Sequence, residues 1–214
     1  MKTWFTLLCV AALSAGCRPQ NPLPILGPRE LATRTVNGQT VADTVYHTIG
    51  EFAFQDQYGD SVTHATVAGK VYVADFFFVN CPSICPLTTQ QMLRLYTKYR
   101  ADDRVLLLSH TLAPEYDTTA VLNDFATRLG VQGPRWRFLR AGKYYTYQLA
   151  QQSYFTAALD DPTAPGGIEH SGLFTLVDTQ RRIRGFYDGT DPTQIDQLLE
   201  DLDRLLAEAF PAGH

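Results

Sequence analysis

The amino-acid sequence predicts one α/β domain in which helices cover both faces of a mixed β-sheet. Strand-like apolar runs alternate with amphipathic segments, two strand-like segments around a short turn come later, and an amphipathic segment ends the chain. With 214 residues, 45% of them hydrophobic, the chain can bury one core of good size. Its formal net charge of −4, without a basic stripe in the sequence, argues against a nucleic-acid partner.

The N-terminus has the pattern of an export signal. Lys2 provides a positive start, and residues 4–13 (WFTLLCVAAL, which include Cys9) are apolar but fewer than the roughly 20 residues that span a bilayer. The small residues that follow resemble a bacterial lipoprotein signal, which predicts removal of residues 1–16 and a lipid on the thiol of Cys17. Ser14 stands where such signals usually have a large aliphatic residue, so an ordinary cleaved signal or an uncleaved anchor is the alternative.

Residues 17–45 contain four prolines and little periodicity, which predicts a tether between the membrane and the domain. More than one acyl chain on a mature lipoprotein gives stable membrane attachment. We therefore expect a membrane-anchored lipoprotein of the cell envelope. Its folded domain, residues 46–212, is expected to face the periplasm.

The first elements of this domain follow from local patterns. Two short segments around residues 56–60 (DQYGD) predict a β-hairpin. Residues 70–80 (KVYVADFFFVN) form a continuous run rich in β-branched and aromatic residues, which predicts a central strand covered on both faces. Met92, Leu95 and Tyr99 then recur at helical spacing, so a helix follows the strand.

The remaining segments continue the alternation. Residues 117–130 predict an amphipathic helix, with Asp117 or Thr118 as the N-cap and Gly130 as the C-cap. The other expected elements are a buried strand at 103–112, a short strand at 135–142, a helix at 143–153, an irregular stretch at 154–170, two strands at 171–190 and a closing helix at 191–210. This order predicts a mixed sheet with helices on both faces.

Cys81 and Cys85 lie between the predicted central strand and the next helix, in the stretch VNCPSICPLTTQQM. A thiol motif at this place predicts a thioredoxin-like fold. Both sulfurs would lie near the positive end of a helix, where the thiolate is favoured over the thiol. Three residues separate the cysteines instead of the usual two, which loosens a disulfide and suits a shared metal ion. A metal site, a redox pair and a structural disulfide all stay open at this point.

A metal site needs at least one more ligand. The candidate histidines are His47, His64, His110, His170 and His214. His170 immediately precedes the predicted strand GLFTLV, whose start lies beside the cysteine-bearing helix in a thioredoxin-like fold, so it is the predicted third ligand. Two thiolates and one imidazole favour Cu(I), or zinc with an open position. Met92 is the only methionine after the signal, which excludes a methionine-rich copper site.

Two segments resemble the Sco (SenC) family of copper chaperones. GKVYVADFFFVNCPSICPLTTQQM is similar to the strand–CPxxCP–helix signature of the family, and HSGLFTLVDTQRRIRGFYDGTD to its histidine-plus-hairpin segment. The resemblance spans Phe52 to Leu205. It implies that Cys81, Cys85 and His170 bind copper, as Cu(I) in the first place and Cu(II) as the alternative. It also implies a supporting role for Asp75 beneath the cysteine loop.

The resemblance further implies a function. Proteins of this family receive copper and help to build the dinuclear CuA centre of cytochrome c oxidase subunit II, so the expected partner is that subunit or another periplasmic copper protein. The protein would then be a binding and transfer protein and not an enzyme. The chain departs from the family at Ala113, where the family often has aspartate before Pro-Glu.

Two enzymatic alternatives stay open. A periplasmic thiol-disulfide oxidoreductase would need only Cys81 and Cys85 as its redox dithiol. Some family members are themselves implicated in reducing the cysteines of the acceptor. A peroxidase of the same superfold is disfavoured, because Phe78 stands where such enzymes commonly have threonine.

Overall fold

A computed structural model describes residues 21–211. The predicted signal (residues 1–16), the predicted lipidation residue Cys17 and the candidate ligand His214 lie outside the described residues. Within the part of the chain that is described, no helix has the length and apolar character needed to cross a membrane.

The described chain contains eleven strands and five α-helices. The strands are β1 (Arg29–Val36), β2 (Gln39–Tyr46), β3 (Ala53–Gln55), β4 (Ser61–Thr63), β5 (Val71–Phe77), β6 (Val105–Thr111), β7 (Trp136–Leu139), β8 (Ala158–Asp160), β9 (Ile168–His170), β10 (Leu173–Val177) and β11 (Ile183–Asp188). The helices are α1 (His64–Val67), α2 (Cys85–Tyr99), α3 (Thr119–Arg128), α4 (Lys143–Gln148) and α5 (Pro192–Ala209).

The core of the molecule is a five-stranded mixed sheet in the order β11-β10-β5-β6-β7. The strands β5, β6 and β7 are parallel, whereas β10 is antiparallel to both β5 and β11. Helices α2 and α5 contact each other, and both contact strands of the sheet. This architecture confirms the predicted thioredoxin-like fold with a central mixed sheet.

The two central strands are buried along their whole length, as their continuous apolar runs predict. Polar residues interrupt the apolar runs: His110 and Thr111 end β6, and one pair of facing residues consists of Asp75 in β5 and Ser109 in β6. Both are almost fully buried. Because a buried polar group needs a compensating partner, this position marks a place where the core serves something other than packing.

The helices begin and end close to the predicted bounds. Met92, Leu95 and Tyr99 of α2 are buried, which fits their helical spacing. Thr118 is the N-cap of α3, because its Oγ1 accepts a hydrogen bond from the backbone N–H of Val121 at 3.4 Å. Asp117, the other candidate cap, is buried and serves a different contact at the metal centre.

Three stretches differ from the sequence-based expectation. Within residues 17–45, where the prolines predict an irregular tether, β1 and β2 form an N-terminal hairpin. The predicted irregular stretch 154–170 contains β8 and β9, which pair with each other. The predicted helix 143–153 changes from α4 to a π-helical turn at Leu149–Ser153.

The chain is also fixed to the body before the hairpin begins. Leu23 is buried, and the buried guanidinium of Arg184 donates hydrogen bonds to the carbonyls of Leu23 at 2.5 Å and Pro24 at 3.0 Å. Leu26 forms a β-bridge with Ile183 at the start of β11. Contacts with the folded body therefore begin near Leu23.

Candidate metal centre

The cysteines lie where β5 gives way to α2, at the carboxyl edge of the parallel strands. The backbone N–H of Cys81 donates to the carbonyl of Phe78 at 3.2 Å, and Cys85 is the first residue of α2. The buried carboxylate of Asp117 accepts from the backbone N–H of Val79 at 3.1 Å and from the Thr111 hydroxyl at 2.5 Å. Asp117 thus fixes the loop that leads to Cys81, and both cysteine side chains are buried.

His170 comes to the cysteines from a different part of the chain, the short hairpin of β8 and β9. It ends β9, where it pairs with Ala158 of β8, and the next residue, Ser171, forms a hydroxyl hydrogen bond with Thr156. Gly172 has φ of +66°, and a Cβ there would lie 2.9 Å from Cδ1 of Ile84, just before α2. This close turn places the imidazole against the start of α2.

The three side chains converge on one point. Nε2 of His170 lies 3.6 Å from Sγ of Cys81 and 3.7 Å from Sγ of Cys85, and all three atoms are within 4.8 Å of one another. A metal ion bound about 2.3 Å from each sulfur and about 2.0 Å from nitrogen would hold sulfur and nitrogen about 3.5–3.7 Å apart and the two sulfurs about 3.8–4.0 Å apart. Residues 21–211 contain no other group of three such side chains that could hold a metal ion.

The two thiols share a proton unequally. A hydrogen bond from the Cys85 thiol is the main cause that lowers the pKa of Cys81 to about 3, and contacts with His170 and Ser83 add to it against the effect of burial. The same contact, together with burial, raises the pKa of Cys85 far above its ordinary value. Cys81 is therefore the thiolate and Cys85 the thiol, so a metal ion that takes both sulfurs must displace the proton on Cys85.

Comparison with known proteins identifies this arrangement. The family model described as SCO1/SenC matches residues 41–207, well over half of the chain. The chain belongs to the SCO1/SenC family. The curated relative "SCO1 protein homolog" of Bacillus subtilis is 29% identical over 166 residues, which cover 77% of this chain and 86% of the relative.

Solved structures of other Sco proteins share the fold. BsSco, described as a member of the Sco family of cytochrome c oxidase assembly proteins with a disulfide switch, is 27% identical with a TM-score of 0.66, over 78% of this chain and 95% of that structure. ScoI of Bradyrhizobium japonicum, solved with copper bound, is 25% identical with a TM-score of 0.59, over 74% of this chain and 99% of that structure.

Asp75 lies beneath the centre of this SCO1/SenC protein. Burial raises the pKa of its carboxyl group to about 7, against the opposing effects of a hydrogen bond with Ser109 and the charge of His170. The hydroxyl of Ser109 also accepts from the indole N–H of Trp136 at 2.8 Å. Within residues 21–211, neither Oδ1 of Asp75 nor Nδ1 of His170 has a hydrogen-bond partner. The buried carboxyl group of Asp75 thus lies next to the centre with one of its oxygens unpaired in the described part of the chain.

The other described histidines of this SCO1/SenC chain lie elsewhere. Nε2 of His47 lies 2.8 Å from the carbonyl of Ser153, and His64 is 3.9 Å from Glu51. His110 is fully buried among aromatic rings and stacks on Phe76 with 5.0 Å between ring centroids. None of the three belongs to the group formed by the cysteines and His170.

The sequence did not indicate that Phe78 lies at the metal centre, yet its ring is edge-on to the imidazole of His170, with 5.5 Å between the ring centroids. Gly166, with φ of +79°, packs so closely that a Cβ would lie 2.7 Å from this ring. An aromatic residue in an apolar run has no signal that separates it from core residues. A signal that could have been used is the pair Gly166-Gly167, since glycine permits a close approach of the backbone.

A surface groove of about 270 Å³ gives access to the sulfurs of this SCO1/SenC centre. Apart from the two cysteines, its lining contains no acidic or basic residue; it consists of Phe78, Val79, Cys81, Cys85, Pro86, Thr89, Gln90, Phe125 and Leu129. His170 is not part of this lining. A group that enters the groove therefore meets the two sulfurs before the imidazole.

Proposed function

We propose that this protein is a copper metallochaperone, tethered to the membrane, that delivers copper to the CuA site of cytochrome c oxidase subunit II. The observation that carries the proposal is the convergence of two sulfurs and Nε2 of His170 at 3.6 and 3.7 Å. Membership of the SCO1/SenC family and the copper-bound structure of a relative support the choice of copper.

The donor set favours copper on chemical grounds. Thiolate is a soft ligand and selects Cu(I), and imidazole suits copper in both oxidation states. Three protein ligands leave room for an incoming ligand, which a protein that gives its metal away requires. Copper is the cargo of this site, held by Cys81, Cys85 and His170.

Transfer would proceed through the groove beside the sulfurs. A donor atom of the acceptor enters the groove, binds the copper ion and replaces one sulfur at a time. Since no acidic or basic residue besides the metal-binding cysteines lines the groove, the acceptor needs no matching charged side chain at this place. The cysteines keep the ion until the acceptor's own ligands complete its coordination.

The tether belongs to the same proposal. A lipid on Cys17, outside the described residues, would hold the domain at the surface of a membrane in the cell envelope, on the periplasmic side. Cytochrome c oxidase subunit II, or another periplasmic copper protein, is the proposed acceptor there.

A second candidate function, a thiol-disulfide oxidoreductase, is favoured by the lowered pKa of Cys81. The Cys81 thiolate would attack a substrate disulfide and form a mixed disulfide, releasing one substrate thiolate. Cys85 would lose its proton to that thiolate and attack Sγ of Cys81, which releases the second thiolate. The chain ends as the Cys81–Cys85 disulfide and the substrate as the dithiol, which takes up one further proton from solvent.

Anaerobic titration of the reduced protein with Cu(I) against a competing chelator tests the main proposal. We expect about one Cu(I) per chain and a loss of affinity of at least about a hundredfold in His170→Ala. His64→Ala is the matched control, since His64 lies outside the group, and should bind as the wild type does. Unchanged affinity in His170→Ala, with disulfide reduction intact, would leave only the oxidoreductase.

A further inference from the structure

Basic residues collect at the end of the sheet opposite the metal centre. The parallel strands β5 and β6 begin side by side, with Val71 paired to Val105, so Lys70 and Arg104 lie at the same edge. The turn between β10 and β11 reaches this edge as well, because Val177 pairs with Tyr72. We define the basic end by seven residues from these loops and the adjoining helix ends: Lys70, Arg100, Arg104, Arg135, Arg181, Arg182 and Arg204.

Four of these cations have no acidic partner among the described residues. Lys70 donates to the carbonyl of Asp103 at 2.7 Å and Arg135 to the same carbonyl at 3.4 Å. Within residues 21–211 neither of them, nor Arg100 or Arg181, forms a salt bridge.

The other three cations of the basic end are neutralised in ion pairs. Arg104 pairs with Asp102 at 2.7 Å, Arg182 with Asp178 at 2.8 Å and Arg204 with Asp201 at 2.7 Å. Among the described acids of these same loops, Asp103 makes no ion pair and opposes the four unpaired cations. The basic end therefore carries a net positive charge.

The metal end carries the opposite sign. Acidic residues without a salt bridge in the described part of the chain surround it on three sides: Glu115 after β6, Asp161 and Glu169 around β9, and Asp188 and Asp191 between β11 and α5. The whole chain has a formal net charge of −4. The molecule is therefore electrostatically polarised along its strands.

The N-terminal segment leaves the body at the basic end. Leu26 bridges to Ile183 there, and Arg204 of the basic end donates to the carbonyl of Asn21 at 2.9 Å. The β1–β2 hairpin starts nearby, where the N–H of His47 donates to the carbonyl of Pro28 at 3.0 Å. This hairpin adds no net charge, because its two arginines, Arg29 and Arg34, are balanced by Glu30 and Asp43.

We propose that the basic end docks on an anionic phospholipid surface and thereby holds the metal centre away from the membrane. This rests on the proposed lipid tether at Cys17, which brings the basic end to the bilayer. Cations close to anionic headgroups are attracted within a Debye length, while the acidic metal end is repelled. The seven residues of β5 separate the two ends by about 20 Å, so the copper site faces outward toward an acceptor.

Lysine labelling tests this orientation in the full chain. The protein is reconstituted into vesicles of phosphatidylcholine alone or with added phosphatidylglycerol, and an amine-reactive acetylating reagent is followed by mass spectrometry. We expect acetylation of Lys70 to slow at least about fivefold on the anionic vesicles, and to recover in about 0.5 M NaCl. Lys143 at the metal end is the internal control and should not change.

A charge-reversed variant, Arg100→Glu with Arg135→Glu, should lose the protection of Lys70 while its Cu(I) stoichiometry shows that it is folded. Equal labelling of Lys70 on both lipids, or protection of Lys143 instead, would overturn the proposal. Flotation with pure phosphatidylcholine reports the tether separately, since it needs no anionic lipid. A chain that floats but shows no Lys70 protection disproves the docking and leaves the tether standing.

Discussion

Nε2 of His170 lies 3.6 Å from Sγ of Cys81, although 89 positions separate the two residues along the chain. The contact depends on two separate supports. Asp117 fixes the loop before Cys81, and the turn at Gly172 fixes the strand that ends in His170. The support at Gly172 gives a prediction that can be measured without changing a ligand.

Gly172→Ala should weaken copper binding without touching a ligand. The new Cβ would lie 2.9 Å from Ile84, and the backbone keeps φ of +66°, so the turn must move and His170 moves with it. We expect a loss of about 2 kcal/mol of stability and about tenfold in Cu(I) affinity. Chemical unfolding and chelator competition measure the two effects.

Gly130→Ala is the matched control for that variant. Gly130 has φ of +71°, but no atom of the described residues lies within 4 Å of the place that a Cβ would take, so this variant suffers the backbone cost alone. It should lose about 1 kcal/mol and keep its copper affinity. If both variants bind copper as the wild type does, the turn does not position His170.

Alkylation of the apo protein should report the thiolate on Cys81. With a pKa of about 3, Cys81 should react with iodoacetamide at a nearly constant rate from about pH 8 down to about pH 5. Cys85→Ala removes the main cause of the lowered pKa, so its rate should fall steeply as the pH drops. Ser83→Ala removes a minor cause and should stay close to the wild type. A wild-type rate that follows an ordinary thiol pKa contradicts this assignment.

The buried ring of His110 should make the fold sensitive to acid. Burial lowers the pKa of His110 to about 4 from the ordinary 6.5, so the folded state disfavours the protonated ring. Stability is thus fully present above about pH 6.5 and declines toward pH 4, by up to about 3 kcal/mol. In urea unfolding at several pH values, His110→Phe should show a flatter profile in this window. An unchanged slope would assign the acid sensitivity to other groups.

Asp75 should act in the opposite direction. Burial raises the pKa of its carboxyl group to about 7, so the folded apo protein favours the protonated acid. Its contribution to stability is present below the ordinary pKa near 3.8 and is lost as the pH rises through about 7. Asp75→Asn, which cannot ionise, should be more stable than the wild type at about pH 8.5 and should differ less at about pH 4.5. If Asp75→Asn is less stable than the wild type at about pH 8.5, the raised pKa of Asp75 is contradicted.

Much of the fold could be predicted because the buried central strands coincide with apolar runs in the sequence. Strand β5 is apolar except at Asp75, β6 is apolar over its first four residues, and both strands are buried along their whole length. The cysteines could be placed between β5 and α2 for the same reason. His170 could be selected by its position before β10, although nothing local distinguishes it from His110, which also adjoins a strand and packs in the core.

The β1–β2 hairpin could not be found from burial, because most of its residues are exposed and so show no apolar alternation. The turn of this hairpin nevertheless has a recognisable sequence signal. Asn37 and Gly38, with φ of 51° and 77°, form the two-residue loop that the Asn-Gly pair favours. The four prolines before it led to the expectation of an irregular tether. Strands β8 and β9, of three residues each, are too short for any periodicity to show.

The hydrogen bonds of Arg184 to the leading segment, residues 21–28, have a mechanical consequence. The guanidinium binds the carbonyls of Leu23 and Pro24, as well as Asp178 and Glu208. In the proposed tethered protein, tension on the leading segment would therefore be taken up by β11 and the end of α5. The spacing of the proposed copper ligands, at the opposite edge of the sheet, would then stay undisturbed.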